Sequence, residues 1–150
     1  MIRPSPTHVT TISIIGTGVI GGGWAAHFLR NGMTVTAWDP APDAEPKLRQ
    51  RISDVWPVLE RLWLHPNASP TNLRWADSLA EAVADAQFVQ ESTPERLPIK
   101  IDALRQIDAA CPPDTVIASS TSGYLMTEMA VECSHPERCV VARSQFAIHH

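Results

Sequence analysis

A glycine-rich hexapeptide, Gly16-Thr17-Gly18-Val19-Ile20-Gly21, lies between a β-branched apolar run and a helical pattern, and it constrains the fold more than any other segment. Residues 9–15 (VTTISII) before it have the character of a buried parallel strand. After it, Ile20, Trp24, Ala25, Phe28 and Leu29 form an apolar stripe at helical spacing, and Asn31-Gly32 ends that helix. Residues 33–38 (MTVTAW) then read as a second strand closed by Asp39-Pro40. Strand, helix and strand in about thirty residues make one βαβ unit, whose crossover is right-handed.

In such a unit each glycine has a task. Gly16 permits the turn out of the strand, Gly18 lets backbone approach a pyrophosphate, and Gly21 lets the helix pack close to the sheet. The helix N-terminus then offers free N–H groups and a partial positive charge to the phosphates, which makes Thr17, Gly18, Val19 and Ile20 expected cofactor contacts along with the three glycines. Glycine-rich turns are also common as plain structure, so the context decides: the motif follows a strand, opens a helix and has an acid after the next strand. Asp39, eighteen residues beyond Gly21, stands where a carboxylate accepts hydrogen bonds from the adenosine ribose. The alternative is an acid that only caps the turn before Pro40. With no Arg or Lys between Asp39 and Lys47 to offset the charge on a 2′-phosphate, the expected cofactor is NAD rather than NADP.

The remainder repeats the alternation. A long helix is expected over residues 44–63, with Leu48, Ile52, Val55, Trp56, Leu59 and Leu62 inward and Pro57 a candidate kink. Strands are expected at 73–75, 87–90, 115–118 and 139–141. Helices are expected after the Ser78–Glu81 capping box, over 98–109 with Pro98 in the first turn, and near 126–132. The predicted fold is α/β, a Rossmann-type doubly wound, mostly parallel sheet over residues 9–141, between an N-terminal tail (1–8) and a C-terminal tail (142–150). A net charge of -4 argues against nucleic acid or an anionic membrane as partner. Cys133 and Cys139 flank His135, but no fourth ligand lies near, so the thiols read as buried or idle and no metal is expected. With no signal peptide or membrane span legible, a cytoplasmic location is expected.

With these pieces in place, the chain resembles the NAD-binding domain of the 3-hydroxyacyl-CoA dehydrogenase family over roughly residues 11–141. After the glycine loop and Trp38-Asp39-Pro40 comes Phe88-Val89-Gln90-Glu91-Ser92, where the family has an apolar strand ending in glutamate. Glu95 and Lys100 fall on family positions near the nicotinamide half of the cofactor. Ser119-Ser120-Thr121-Ser122-Gly123 is similar to the family's Ser/Thr-Asn-Thr-Ser segment, with Ser120 in place of Asn. Ser122 falls on the serine that hydrogen-bonds the substrate oxygen. The wording GTGVIGGGWAA, AWDPAP, FVQES and IASSTSG is closest to the L-carnitine dehydrogenase subgroup, which oxidises a 3-hydroxy acid bearing a trimethylammonium group. Residue by residue, plainer roles stay open: Ser122 as a loop hydroxyl, Glu91 and Glu95 as solvated acids, Lys100 as a surface lysine.

The resemblance implies hydride transfer between a 3-hydroxy acid and NAD, with a histidine general base directly after the last strand. Here Arg143 holds that place, and a guanidinium is no base near neutrality. His149 and His150 come six and seven positions late, and His27, His65 and His135 lie elsewhere in the motif order. The family's helical second domain, which completes the cleft and forms the dimer, does not follow. The chain is therefore expected to be truncated and to lack turnover alone. The other readings are a non-catalytic NAD-binding module and a remnant. Tyr124, Leu125, Met126 and Met129 are expected to be left bare and to favour a homodimer.

Overall fold

Six parallel strands in the order β3-β2-β1-β4-β5-β6 form the sheet of the computed structural model, which describes residues 5–143. The strands are β1 (Thr11–Ile15), β2 (Thr34–Trp38), β3 (Leu73–Trp75), β4 (Phe88–Glu91), β5 (Val116–Ser119) and β6 (Cys139–Val141). The helices are α1 (Val19–Arg30), α2 (Ala44–Leu62), α3 (Leu79–Val83), α4 (Leu97–Ala110) and α5 (Met126–Met129). The order reverses between β1 and β4, and the crevice at that switch point is where an open α/β sheet binds a ligand.

The two-residue period of β1 distributes its side chains to both helical layers. Ile12 and Ile14 join Leu29 of α1 and Leu48, Ile52 and Trp56 of α2 in one core. Ile15 joins Val83 of α3 and Leu104 and Ile107 of α4 in the other. Ser13 is buried because its hydroxyl donates to the Ala82 carbonyl at 2.5 Å. The Ser78 hydroxyl accepts the Glu81 amide at 3.1 Å and caps α3, while the Glu81 carboxylate reaches one residue further back, to the Asp77 amide at 3.2 Å, so the expected capping box is only half formed.

All strand pairs are parallel, in keeping with the Rossmann-type doubly wound sheet expected. Several expectations need correction. Ile20 was expected inward but is 51% exposed, because the first turn of α1 projects past the strand ends. Leu62 is 68% exposed. A nineteen-residue helix runs about 28 Å against about 17 Å for a five-residue strand, so the last turn of α2 overhangs the sheet. α2 continues through Pro57.

α5 is a single turn that ends at Met129 instead of 132, and the next amides bond elsewhere: Cys133 to the Ala130 carbonyl, Ser134 and His135 to the Asp108 carboxylate. That fold-back also revises the expected bare patch. Met129 is fully buried, Tyr124 and Met126 pack against the α3/α4 core, and Leu125 alone of the four is exposed. Among the described residues no helix is long and apolar enough to cross a membrane, and no group of three or more His, Cys, Asp or Glu is placed to hold a metal. His149 and His150 lie outside the described residues.

Candidate cofactor site

The glycine loop leaves β1 at Gly16, whose φ of 89° lies in the left-handed region. A Cβ there would stand 2.5 Å from the Ser92 carbonyl oxygen, so the loop after β1 touches the loop after β4. A Cβ on Gly21 would meet the Gly16 carbonyl at 1.8 Å, so only glycine lets α1 begin this close to the strand end. Around Gly18 the space is open. Val19 and Ile20 expose apolar side chains beside it, at 75% and 51%. The result is bare backbone at the first turn of a twelve-residue helix, the arrangement that receives phosphate oxygens.

Asp39, just past β2, faces this loop. Its Oδ2 accepts the Thr17 amide at 2.9 Å and lies 3.3 Å from the Thr17 hydroxyl, while Oδ1 accepts the Ala41 amide at 2.9 Å. The carboxylate both turns the chain and stands at the cofactor loop. A cleft of about 580 Å³ opens beside it, lined by Gly16, Asp39, Thr93, Ile99, Ala103 and Gln106. It has the place and the apolar wall that an adenosine moiety needs. On the far side of Asp39 a second hollow of about 450 Å³ carries Glu45 and Asp77 with Trp38 and Trp75.

One cation was missed in the sequence. Arg51, about two turns into α2, donates from Nη1 to the Thr17 carbonyl at 2.9 Å, and its stem lies over Gly22. Arg51 lies beyond the loop that ends at Lys47 and comes back to it because a helix returns side chains to one face every third or fourth residue. The stretch between Asp39 and Lys47 holds no Arg or Lys, as read from the sequence, and Arg51 reaches the Thr17 carbonyl from α2.

The β4–α4 loop is fastened from within. Glu91 is fully buried, and its Oε1 accepts from Lys100 Nζ at 2.8 Å, the Thr93 amide at 2.9 Å and the Thr93 hydroxyl at 2.6 Å. Oε2 accepts from the Ser119 hydroxyl. Lys100 is 1% exposed and also donates to the Thr93 carbonyl at 3.0 Å. Neither residue is the solvated group that a plain surface role would make it.

Glu95, on the same loop and exposed, accepts the Thr121 hydroxyl at 2.6 Å and the Ser122 amide at 3.1 Å, with the Ser122 hydroxyl at 3.4 Å. Partial burial pushes this carboxyl up, but those hydrogen bonds together with the Lys100 charge outweigh it, and Glu95 sits below its ordinary value. Ser120 accepts from Gln90 Nε2 at 2.7 Å and shares a 2.8 Å hydrogen bond with the Ser92 hydroxyl. Glu95, Lys100 and Ser122 thus meet at the carboxyl ends of β4 and β5. Arg143 follows β6 at the same end of the sheet and is exposed.

The family model for the NAD-binding domain of 3-hydroxyacyl-CoA dehydrogenase matches residues 11–143. The chain belongs to the 3-hydroxyacyl-CoA dehydrogenase family. Its cofactor is NAD, and the bare first turn of α1, Asp39 and the adjoining cleft fit that molecule.

Among this family's members, an L-carnitine dehydrogenase of Nocardiopsis dassonvillei is 60% identical over 139 residues, which are 93% of this chain and 42% of that protein. One from a Pseudomonas species is 51% identical over 92% of this chain and 43% of its own length. The 3-hydroxybutyryl-CoA dehydrogenase of Escherichia coli superposes with a TM-score of 0.81 at 27% identity, covering 91% of this chain and 29% of that one. The chain spans about two fifths of the length of the L-carnitine dehydrogenases it matches.

Proposed function

We propose that this chain is the cofactor-binding part of an oxidoreductase that passes a hydride between a 3-hydroxy acid and NAD, with L-carnitine as the preferred substrate and a 3-hydroxyacyl-CoA as the alternative. The observation that carries this is Ser122. Its exposed hydroxyl is oriented by Glu95 at the carboxyl end of the sheet, on the position that in this family hydrogen-bonds the substrate oxygen. The identity to L-carnitine dehydrogenases supports the substrate class.

In this reading the first turn of α1 at Gly18, Val19 and Ile20 receives the pyrophosphate, Gly21 permits the close approach, and Asp39 meets the adenosine ribose. Gly16 and Thr17, expected as direct contacts, instead shape the loop, because their amides donate to the Trp38 carbonyl and the Asp39 carboxylate. Glu95 borders the nicotinamide half, and Lys100 serves that half through the loop it holds. NAD supplies the hydride acceptor. The proton of the substrate hydroxyl needs a base, and Arg143 is not one, so the chain as it stands binds cofactor without turnover. Arg143 is also the observation that favours the second reading, a non-catalytic NAD-binding module. A two-fold dimer is part of the proposal, supported by the exposed Leu125, Val131, Val140 and Val141 around the edge strand β6. A reducing, cytoplasmic location is supported by three free cysteines.

The test is a chimera of residues 1–141 joined to the corresponding remainder of the Nocardiopsis dassonvillei relative. L-carnitine-dependent reduction of NAD, weakened by Ser122→Ala, is the expected result. A chimera that folds and binds NADH but oxidises neither L-carnitine nor a 3-hydroxyacyl-CoA overturns the proposal.

A further inference from the structure

The loops after β4 and β5 fasten to each other through alternate residues. Glu91 and Ser119 stand side by side in the register of the two strands, and both are fully buried. Lys100 is buried with them and pairs with Glu91 Oε1, so the ionised carboxylate keeps its counter-charge inside the core. An ionised carboxylate only accepts, so the Ser119 hydroxyl gives its single proton to Glu91 Oε2. Its lone pairs are left for the Thr121 amide, which donates to it at 3.2 Å. Two residues on, the same arrangement recurs nearer the surface. The Thr121 hydroxyl, also buried, donates to Glu95 Oε1 at 2.6 Å and accepts the Tyr124 amide at 3.3 Å. Glu95 Oε2 takes the Ser122 amide at 3.1 Å.

We propose, resting on the reading that Glu95 borders the nicotinamide half of NAD, that Ser119 is a positioning residue for that end of the cofactor site. It carries the fixed place of the buried Glu91 carboxylate, through Thr121, to Glu95 and Ser122.

Glu95 is exposed, so packing does not fix its carboxylate; the charge-assisted hydrogen bonds from Thr121 and Ser122 do. Those donors lie on the β5 loop, and Ser119 anchors that loop to the core. Removing the Ser119 hydroxyl takes a donor from Glu91 Oε2 and an acceptor from the Thr121 amide, both inside the protein. Buried polar groups that lose a partner are costly, so the loop shifts toward other partners and draws Glu95 and Ser122 with it. The adenosine end is held separately, by Asp39 on the Thr17 and Ala41 amides. Loss of Ser119 therefore acts on one end of the cofactor and spares the other.

The test is calorimetric titration of the chain with NADH and with ADP-ribose, which has a hydroxyl in place of the nicotinamide ring. The wild-type chain binds NADH more tightly than ADP-ribose. Ser119→Ala weakens NADH about tenfold, as expected for a lost hydrogen bond to a charged group, and leaves ADP-ribose within about twofold. Ser119→Thr keeps the hydroxyl and retains the wild-type gap. Thr115→Ala controls for general loosening. It removes a buried hydroxyl that donates to the Ala86 carbonyl at 2.5 Å, at the opposite end of β5, and it leaves the gap intact. Should Ser119→Ala not fold, Thr121→Val removes the next link while Glu91 and Ser119 stay paired, and the same selective loss is expected. A wild-type gap that Ser119→Ala, or Thr121→Val in its place, leaves unchanged overturns the proposal, and so does a gap that Thr115→Ala closes equally. Equal affinities of the wild-type chain for the two ligands overturn the reading of Glu95 and the proposal with it.

Discussion

Asp39 Oδ2 accepts the Thr17 amide at 2.9 Å, which ties the end of β2 to the glycine loop after β1. The carboxylate proposed to meet the adenosine ribose is therefore already held in place by the chain's own loop. Asp77 and Glu45, the latter paired with Arg49 at 3.0 Å, line the hollow on its far side.

The first prediction concerns cofactor choice. NADH binds more tightly than NADPH in a fluorescence titration, and Asp39→Ala narrows the gap by removing both the hydrogen bonds and the charge conflict. Equal affinities for the wild-type chain would refute it. Arg51→Ala tests the cation at the loop: it weakens both cofactors alike if Arg51 only holds the Thr17 carbonyl.

The second concerns turnover. This chain is expected to oxidise neither L-carnitine nor a 3-hydroxyacyl-CoA with NAD, because Arg143 holds the place that the family resemblance gives to the base. Turnover that Ser122→Ala abolishes would show that another group takes the proton.

The third rests on Lys100 and Glu91, whose side chains are 2% and 0% exposed. Lys100→Met leaves a buried carboxylate without its cation and costs about 3–5 kcal/mol. The double variant Lys100→Met with Glu91→Gln recovers part of that loss, because a neutral amide needs no counter-charge. Chemical denaturation measures both, and equal stability of the single and double variants would refute the coupling.

The fourth is a pH dependence. Burial pushes the Asp108 carboxyl up, but Arg138 and the amides of Ser134 and His135 more than reverse this, so the folded value lies below the ordinary one. A depressed carboxylate contributes stability that is fully present above its unfolded value, about 3.9, and lost as pH falls through the folded value. Asp108→Asn lowers stability near neutrality and flattens the acid limb of the stability profile. An unchanged acid limb would contradict it.

The fifth is self-association. Light scattering at micromolar concentration is expected to give twice the 16.4 kDa chain mass. Since Met129 is buried, Val140→Lys and Leu125→Lys are the substitutions that return a monomer. A wild-type monomer would refute the dimer.

Much of this was decided within short stretches of chain. The glycine loop, the βαβ order, Asp39 and the β6 boundaries are legible because strand and helix periods, turn glycines and capping pairs act over a few residues. Ser122 and Glu95 were legible as separate family positions, but only the sheet brings them together, since Glu95 lies on the loop after β4 and Ser122 after β5.

Arg51 at the Thr17 carbonyl, Lys100 buried against Glu91, and Asp108 clasping the segment before β6 were decided by tertiary structure alone. Polar contacts of this kind carry no period. Whether a lysine is solvated or buried depends on what its helix packs against, and burial then requires a partner that chain proximity does not disclose.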